Sequence, residues 1–68
     1  MTIELNGSEV EIAEGATISA AIEHLDVSAE ERGIAVAVDG EVVPRAEWAM
    51  TALRERQSIE VVRAVQGG

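Results

Sequence analysis

Thr2-Ile3-Glu4-Leu5-Asn6-Gly7-Ser8-Glu9-Val10-Glu11-Ile12 is the stretch whose reading decides the fold. Ile3 and Leu5 alternate with polar neighbours, and Val10 and Ile12 repeat the pattern after Asn6-Gly7. Alternation with a period of two marks a strand with one buried face. Asn-Gly readily takes the two positive φ values of a type I′ turn, whose twist matches that of the strands it joins. The stretch therefore reads as a β-hairpin with a single apolar face, and that face needs a cover.

The cover follows directly. Glu14-Gly15-Ala16 breaks the alternation, and Thr17 offers a hydroxyl to the free N–H groups of a helix start. Ile18, Ala21, Ile22 and Leu25 then recur at i, i+3, i+4 and i+7, which predicts a helix over about 17–25 with one apolar face. Ser28-Ala29-Glu30-Glu31 has the capping-box pattern and reads as a short helical turn before Gly33. Ile34-Ala35-Val36-Ala37-Val38 is a continuous apolar run, expected to be a strand buried on much of both faces. Asp39-Gly40 is a second two-residue turn, leading into Glu41-Val42-Val43. Pro44 ends that strand because it has no N–H for the ladder.

From Arg45 to Leu53 the pattern is weakly helical, with Trp48 and Leu53 as expected core contacts. Arg54-Glu55-Arg56-Gln57 reads as an exposed turn before a last strand running from Ser58 to about Ala64. Hairpins covered by one helix make a two-layer α+β domain. The order leaves room for one domain over residues 1–68, with 64–68 as an extended tail.

Composition narrows the function. A chain of 68 residues buries only about 60% of the surface that its unfolded form exposes. Phe, Tyr and Cys are absent and Trp48 is the only aromatic, so the core is aliphatic and no thiol chemistry belongs to the chain itself. The net charge of −8 opposes phosphate binding and hence nucleic-acid binding. It suits either a basic patch on a partner or simply a solvated acidic surface. All five basic residues are Arg, so no lysine side chain is present to accept an isopeptide bond. No apolar run approaches the ~20 residues of a membrane span. The first residues show neither the basic nor the apolar region of a signal peptide, from which a cytoplasmic protein is expected.

Catalytic signals are weak. No glycine-rich phosphate loop is present, and Ser8, Ser19, Ser28 and Ser58 have no histidine at a spacing that suggests a triad. His24, the single histidine, has neither a cysteine nor a second histidine beside it for a metal site. It reads as a surface residue near a helix C-terminus, where a cation is favoured, and takes no role.

The tail carries the stronger signal. In the last strand Ile59 and Val61 are expected to face the helix, which turns Glu60, Val62 and Ala64 to the outer face. Val62 and Ala64 are there either as a candidate docking surface or as small residues tolerated on a sheet. Val65-Gln66-Gly67-Gly68 follows, and four extended residues could project roughly 14 Å past the sheet. Two glycines have no side chain to block a narrow channel. A frayed terminus is the plainer reading of such an end.

Two stretches carry a family likeness. Ala35-Val36-Ala37-Val38-Asp39-Gly40-Glu41-Val42-Val43-Pro44-Arg45, with Trp48 three residues on, and Glu60-Val61-Val62-Arg63-Ala64-Val65-Gln66-Gly67-Gly68 resemble the ThiS family of bacterial thiamine biosynthesis. The resemblance covers essentially the whole chain. The related carriers of molybdopterin synthesis share the Gly-Gly end but are usually longer and lack the Pro44-Arg45 to Trp48 segment. Family members often carry Gly-Asp where this chain has Arg56-Gln57, which leaves the geometry of that turn to the structure.

The resemblance implies a ubiquitin-like β-grasp, a mixed sheet of about five strands packed on one main helix. It also implies a carrier that is never the catalyst. The Gly68 carboxylate would be adenylated by an E1-like enzyme with MgATP, then converted to a thiocarboxylate by a cysteine desulfurase or another sulfur donor. Thiazole synthase would receive the sulfur. Gly67 would give clearance, with Gln66 and Val65 lining the partner's channel, and no metal or permanent cofactor is implied. Arg45 and Trp48 are read as structural, Trp48 filling a core that lacks Phe. Two other functions stay open: a carrier for molybdopterin or cysteine synthesis, and a ubiquitin-like interaction module that needs no activation.

Overall fold

The computed structural model describes residues 1–25 and 33–63. Strands β1 (Thr2–Leu5) and β2 (Ser8–Glu11) form the expected antiparallel hairpin. Asn6 and Gly7 turn it with φ of 50° and 84°, both positive as a type I′ turn demands. Strands β3 (Ile34–Val38) and β4 (Glu41–Val43) form the second hairpin around Asp39 and Gly40. The last strand, β5 (Ser58–Arg63), runs between the two hairpins, parallel to β1 and antiparallel to β3. The sheet order is β2-β1-β5-β3-β4. With one helix laid across it, this mixed sheet is the ubiquitin-like β-grasp.

The helix α1 spans Ile18–Ile22 and continues as a single 3-10 turn, Glu23–Leu25. The start of a helix leaves N–H groups without intrahelical partners. Thr17 Oγ1 accepts from Ala20 N–H at 3.4 Å, while Thr51 and Trp48 carbonyls accept from Ile18 and Ser19 at 3.1 and 3.3 Å. The segment after β4 thus satisfies the helix start, and it includes a second 3-10 turn, Arg45–Glu47, that begins after Pro44. The turn expected at 28–31 lies outside the described residues.

One core lies between the layers. Ile3, Leu5, Val36 and Ile59 of the sheet meet Ile18, Ala21 and Ile22 of the helix, all with at most 2% exposure. Trp48 and Leu53 close one end, as expected from their spacing. Among the described residues no polar or charged side chain is buried, so the core has no desolvation penalty to offset.

Two details differ from the expectations or resolve them. The outer face of β3 is not buried: Val36 is, but Ala35 is exposed and Ala37 only half-buried. The apolar run was read as a strand covered on two sides, whereas α1 covers one side of the sheet. Alanine makes that exposure inexpensive, since it presents little apolar area. The Arg56-Gln57 turn keeps a left-handed residue, Arg56 at φ 69°. Gln57 secures it: its Oε1 accepts from Arg54 N–H at 2.7 Å and its Nε2 donates to Asp39 Oδ2 at 3.3 Å.

Candidate functional site

The site is built on β5. Because β1 and β3 flank it, β5 is held from both sides and ends in the middle of the sheet rather than at an edge. Gly68, Gly67, Gln66, Val65 and Ala64, the tail residues singled out from the sequence, lie outside the described residues. Val62 does not, and it is 60% exposed on the outer face beside Ala35, its partner in β3.

Sequence reasoning missed the rest of that face. Val42 pairs with Ala37, which in turn pairs with Glu60 on the other side. Val42 is 75% exposed. Two valines therefore stand on either side of a floor of alanines, Ala35 and Ala37, where a partner's apolar side chain can settle. The signal was available: a two-residue turn at Asp39-Gly40 fixes the register of β4 and so sends Val42 outward. Assigning β3 two covered faces concealed it.

The other half of the outer face is acidic. Glu4 and Glu9 sit directly opposite each other across β1 and β2. Like charges so placed repel, and the Arg56 guanidinium, 3.8 Å from Glu9, eases that repulsion. The indentation between Thr2, Ile3, Glu4, Glu9 and Arg56 has room for ≈ 40 Å³. Small-molecule pockets run to about 300–1,000 Å³, so it admits water and not a substrate. Among the described residues no group of His, Asp and Glu is placed to hold a metal ion, and His24 is exposed.

Arg45 and Trp48 are part of the framework. Trp48 Nε1 donates to the Val43 carbonyl at 2.8 Å, and the Arg45 guanidinium lies 4.7 Å from the Trp48 ring centre, within cation–π range.

Fold and face together define the class: a small ubiquitin-like β-grasp domain, with an apolar outer patch beside the exit of its central last strand. The family model described as the ThiS family matches residues 2–68. The sulfur carrier protein ThiS of Escherichia coli (strain K12) is 29% identical over 68 residues, covering 100% of both chains. The crystal structure of thiamine biosynthesis protein ThiS from Geobacter metallireducens matches with a TM-score of 0.80 at 24% identity, again over 100% of both chains. The solution structure of a thiamine biosynthesis protein from the same organism matches with a TM-score of 0.76 at 28% identity, covering 100% of this chain and 88% of that one. The chain belongs to the ThiS family. Among the described residues no helix is long and apolar enough to cross a membrane.

Proposed function

We infer that this chain is a cytoplasmic sulfur carrier of thiamine biosynthesis and that Gly68 is the group it carries. The observation that supports this best is that the family match runs through residue 68, so it takes in the paired glycines as well as the domain. The domain supplies a platform and the tail supplies the group that partners modify.

A carboxylate is a poor electrophile until one oxygen becomes part of a good leaving group. In the proposed cycle the Gly68 carboxylate attacks the α-phosphorus of MgATP on an E1-like adenylating enzyme, and pyrophosphate leaves. The terminal sulfur of a persulfide, made by a cysteine desulfurase or an equivalent donor, attacks the acyl carbon and expels AMP. A thiol then cleaves the resulting acyl disulfide, which leaves the thiocarboxylate on Gly68 and a disulfide on the donor side. Thiazole synthase takes the sulfur into the forming ring; the acyl C–S bond breaks, an oxygen from water or the acceptor takes its place, and Gly68 returns as a carboxylate.

The residues divide the work by size and position. Gly68, without a side chain, leaves its acyl carbon open to attack, Gly67 gives clearance, and Val65 and Gln66 line the partner's channel. Val62 and Ala64, with Val42, Ala35 and Ala37, form the docking surface outside it. Every chemical step is carried out by a partner.

Intact mass spectrometry tests the reading. The purified chain is incubated with the activating enzyme, MgATP and a sulfur source. The expected product has one oxygen exchanged for sulfur at the C-terminus. No exchange with an enzyme active on another carrier would leave an interaction module that works through its sheet. Exchange followed by transfer to a molybdopterin or cysteine-forming enzyme, and not to thiazole synthase, would assign the carrier to another pathway.

A further inference from the structure

Asn6 is 55 positions from Val61 in the chain, and its side chain bonds both backbone polar groups of that residue. Its Oδ1 accepts from the Val61 N–H at 2.8 Å, and its Nδ2 donates to the Val61 carbonyl at 3.3 Å. Its own backbone N–H donates to the Ile59 carbonyl at 2.9 Å. That last bond is the end of the parallel ladder, in which Glu4 N–H likewise donates to Gln57 at 2.9 Å.

The next rung would need a backbone carbonyl and N–H from a continuing β1. Strand β1 has ended, because the chain turns away at Asn6 and Gly7. A carboxamide carries the same donor and acceptor as a peptide group, so the Asn6 side chain stands in for the missing rung. The same residue also holds the left-handed φ of 50° that the turn requires, a conformation in which asparagine is tolerated. Glycine could make this turn without making the rung.

We propose that Asn6 is a positioning residue for the carrier arm: by clamping Val61 it extends the ladder one rung beyond the end of β1 and steadies the end of β5, the root of that arm. This rests on the carrier reading given above. Beyond Val61 the ladder continues on the β3 side, through Ala35 with Val62 and Ile34 with Arg63. A terminal carboxylate on a tether reaches its target at an effective concentration set by the length and stiffness of that tether. Without the Asn6 bonds the end of β5 is held by β3 alone, so the tether is less stiff at its base, and each residue that frays must be ordered again before reaction. The apolar docking face is untouched, so body affinity and arm delivery separate.

The test compares Asn6→Gly and Asn6→Asp with the unmodified full-length chain. Asn6→Gly preserves the turn and removes the amide. Asn6→Asp preserves the turn and the acceptor for Val61 N–H, and sets an oxygen where the donor was. Amide exchange at Val61 is followed by NMR, and thiocarboxylate formation is followed with the activating enzyme, MgATP and sulfide. In Asn6→Gly the Val61 amide should exchange about tenfold faster or more, with kcat for thiocarboxylate formation several-fold lower at unchanged KM. Asn6→Asp should fall between that variant and the unmodified chain on both measures. Wild-type protection of Val61 in Asn6→Gly would overturn the clamp. Faster exchange with unchanged kcat would overturn the positioning role and leave a structural bond. If the unmodified chain itself gains no sulfur, the carrier reading fails and the delivery role fails with it, whereas the exchange data still report on the clamp.

Discussion

The indole N–H of Trp48 donates to the carbonyl oxygen of Val43 at 2.8 Å and so ties the end of edge strand β4 to the residue that closes the core. Trp48 is 2% exposed, and with Phe and Tyr absent no other side chain fills comparable volume. Its peptide carbonyl also accepts from Ser19, so one residue joins edge strand, core and helix start.

Trp48→Ala should therefore cost about 3–5 kcal/mol. A domain of this length has about 3–10 kcal/mol in all, so the variant should be largely unfolded at physiological temperature. Trp48→Phe keeps most of the ring volume and orphans the Val43 carbonyl, at about 1–2 kcal/mol. Urea denaturation followed by circular dichroism measures both. Equal, small losses would show that the hydrogen bond and the ring volume both matter little here.

Arg56 holds a left-handed φ of 69°, which costs a non-glycine residue about 1 kcal/mol. Its ion pair with Glu9 spans 3.8 Å between side chains 73% and 74% exposed, a setting in which such pairs contribute little. Arg56→Gly should raise the melting temperature slightly, the relief of strain being partly offset by a more flexible unfolded chain. Arg56→Val should lower it, since a β-branched residue is least at home at this φ. A melting temperature lowered equally by both substitutions would place the importance of Arg56 in its side chain.

Gly67→Val should leave the thermal transition unchanged, because the buried core of the described residues runs from Ile3 to Ile59. Adenylation by the activating enzyme should fall by at least about a hundredfold, the scale of a misplaced reacting group. Pyrophosphate release measures it. Adenylation at the normal rate would remove the steric account of the paired glycines.

Val62→Asp and Val42→Asp each place a charge on the apolar outer patch, at sites 60% and 75% exposed. Either should weaken binding of the activating enzyme by about tenfold or more, roughly 1.4 kcal/mol. Stability should change by no more than about 0.5 kcal/mol. Calorimetric titration and thermal melts separate the two effects. Association should also slow as salt rises, since the acidic half of the face is screened beyond about 10 Å at 0.1 M. Unchanged affinity in both variants would make Val42 and Val62 tolerated surface residues.

Sequence alone determined what depends on near neighbours. Asn6-Gly7 and Asp39-Gly40 announced their turns because positive φ is a property of those residues. Ile18, Ala21 and Ile22 announced the helix face because side-chain period is set within a few residues. Pro44 marked the end of β4 for want of an N–H. Tertiary structure decided what depends on partners distant in the chain. The placing of β5 between β1 and β3 joins residues more than fifty positions apart, as in Asn6 and Val61, and no local propensity specifies such a pairing. The openness of Ala35, Ala37 and Val42 followed from a helix that covers one side of the sheet. A strand's own residues set which side chains share a face, but only the packing of other elements decides whether that face meets protein or water.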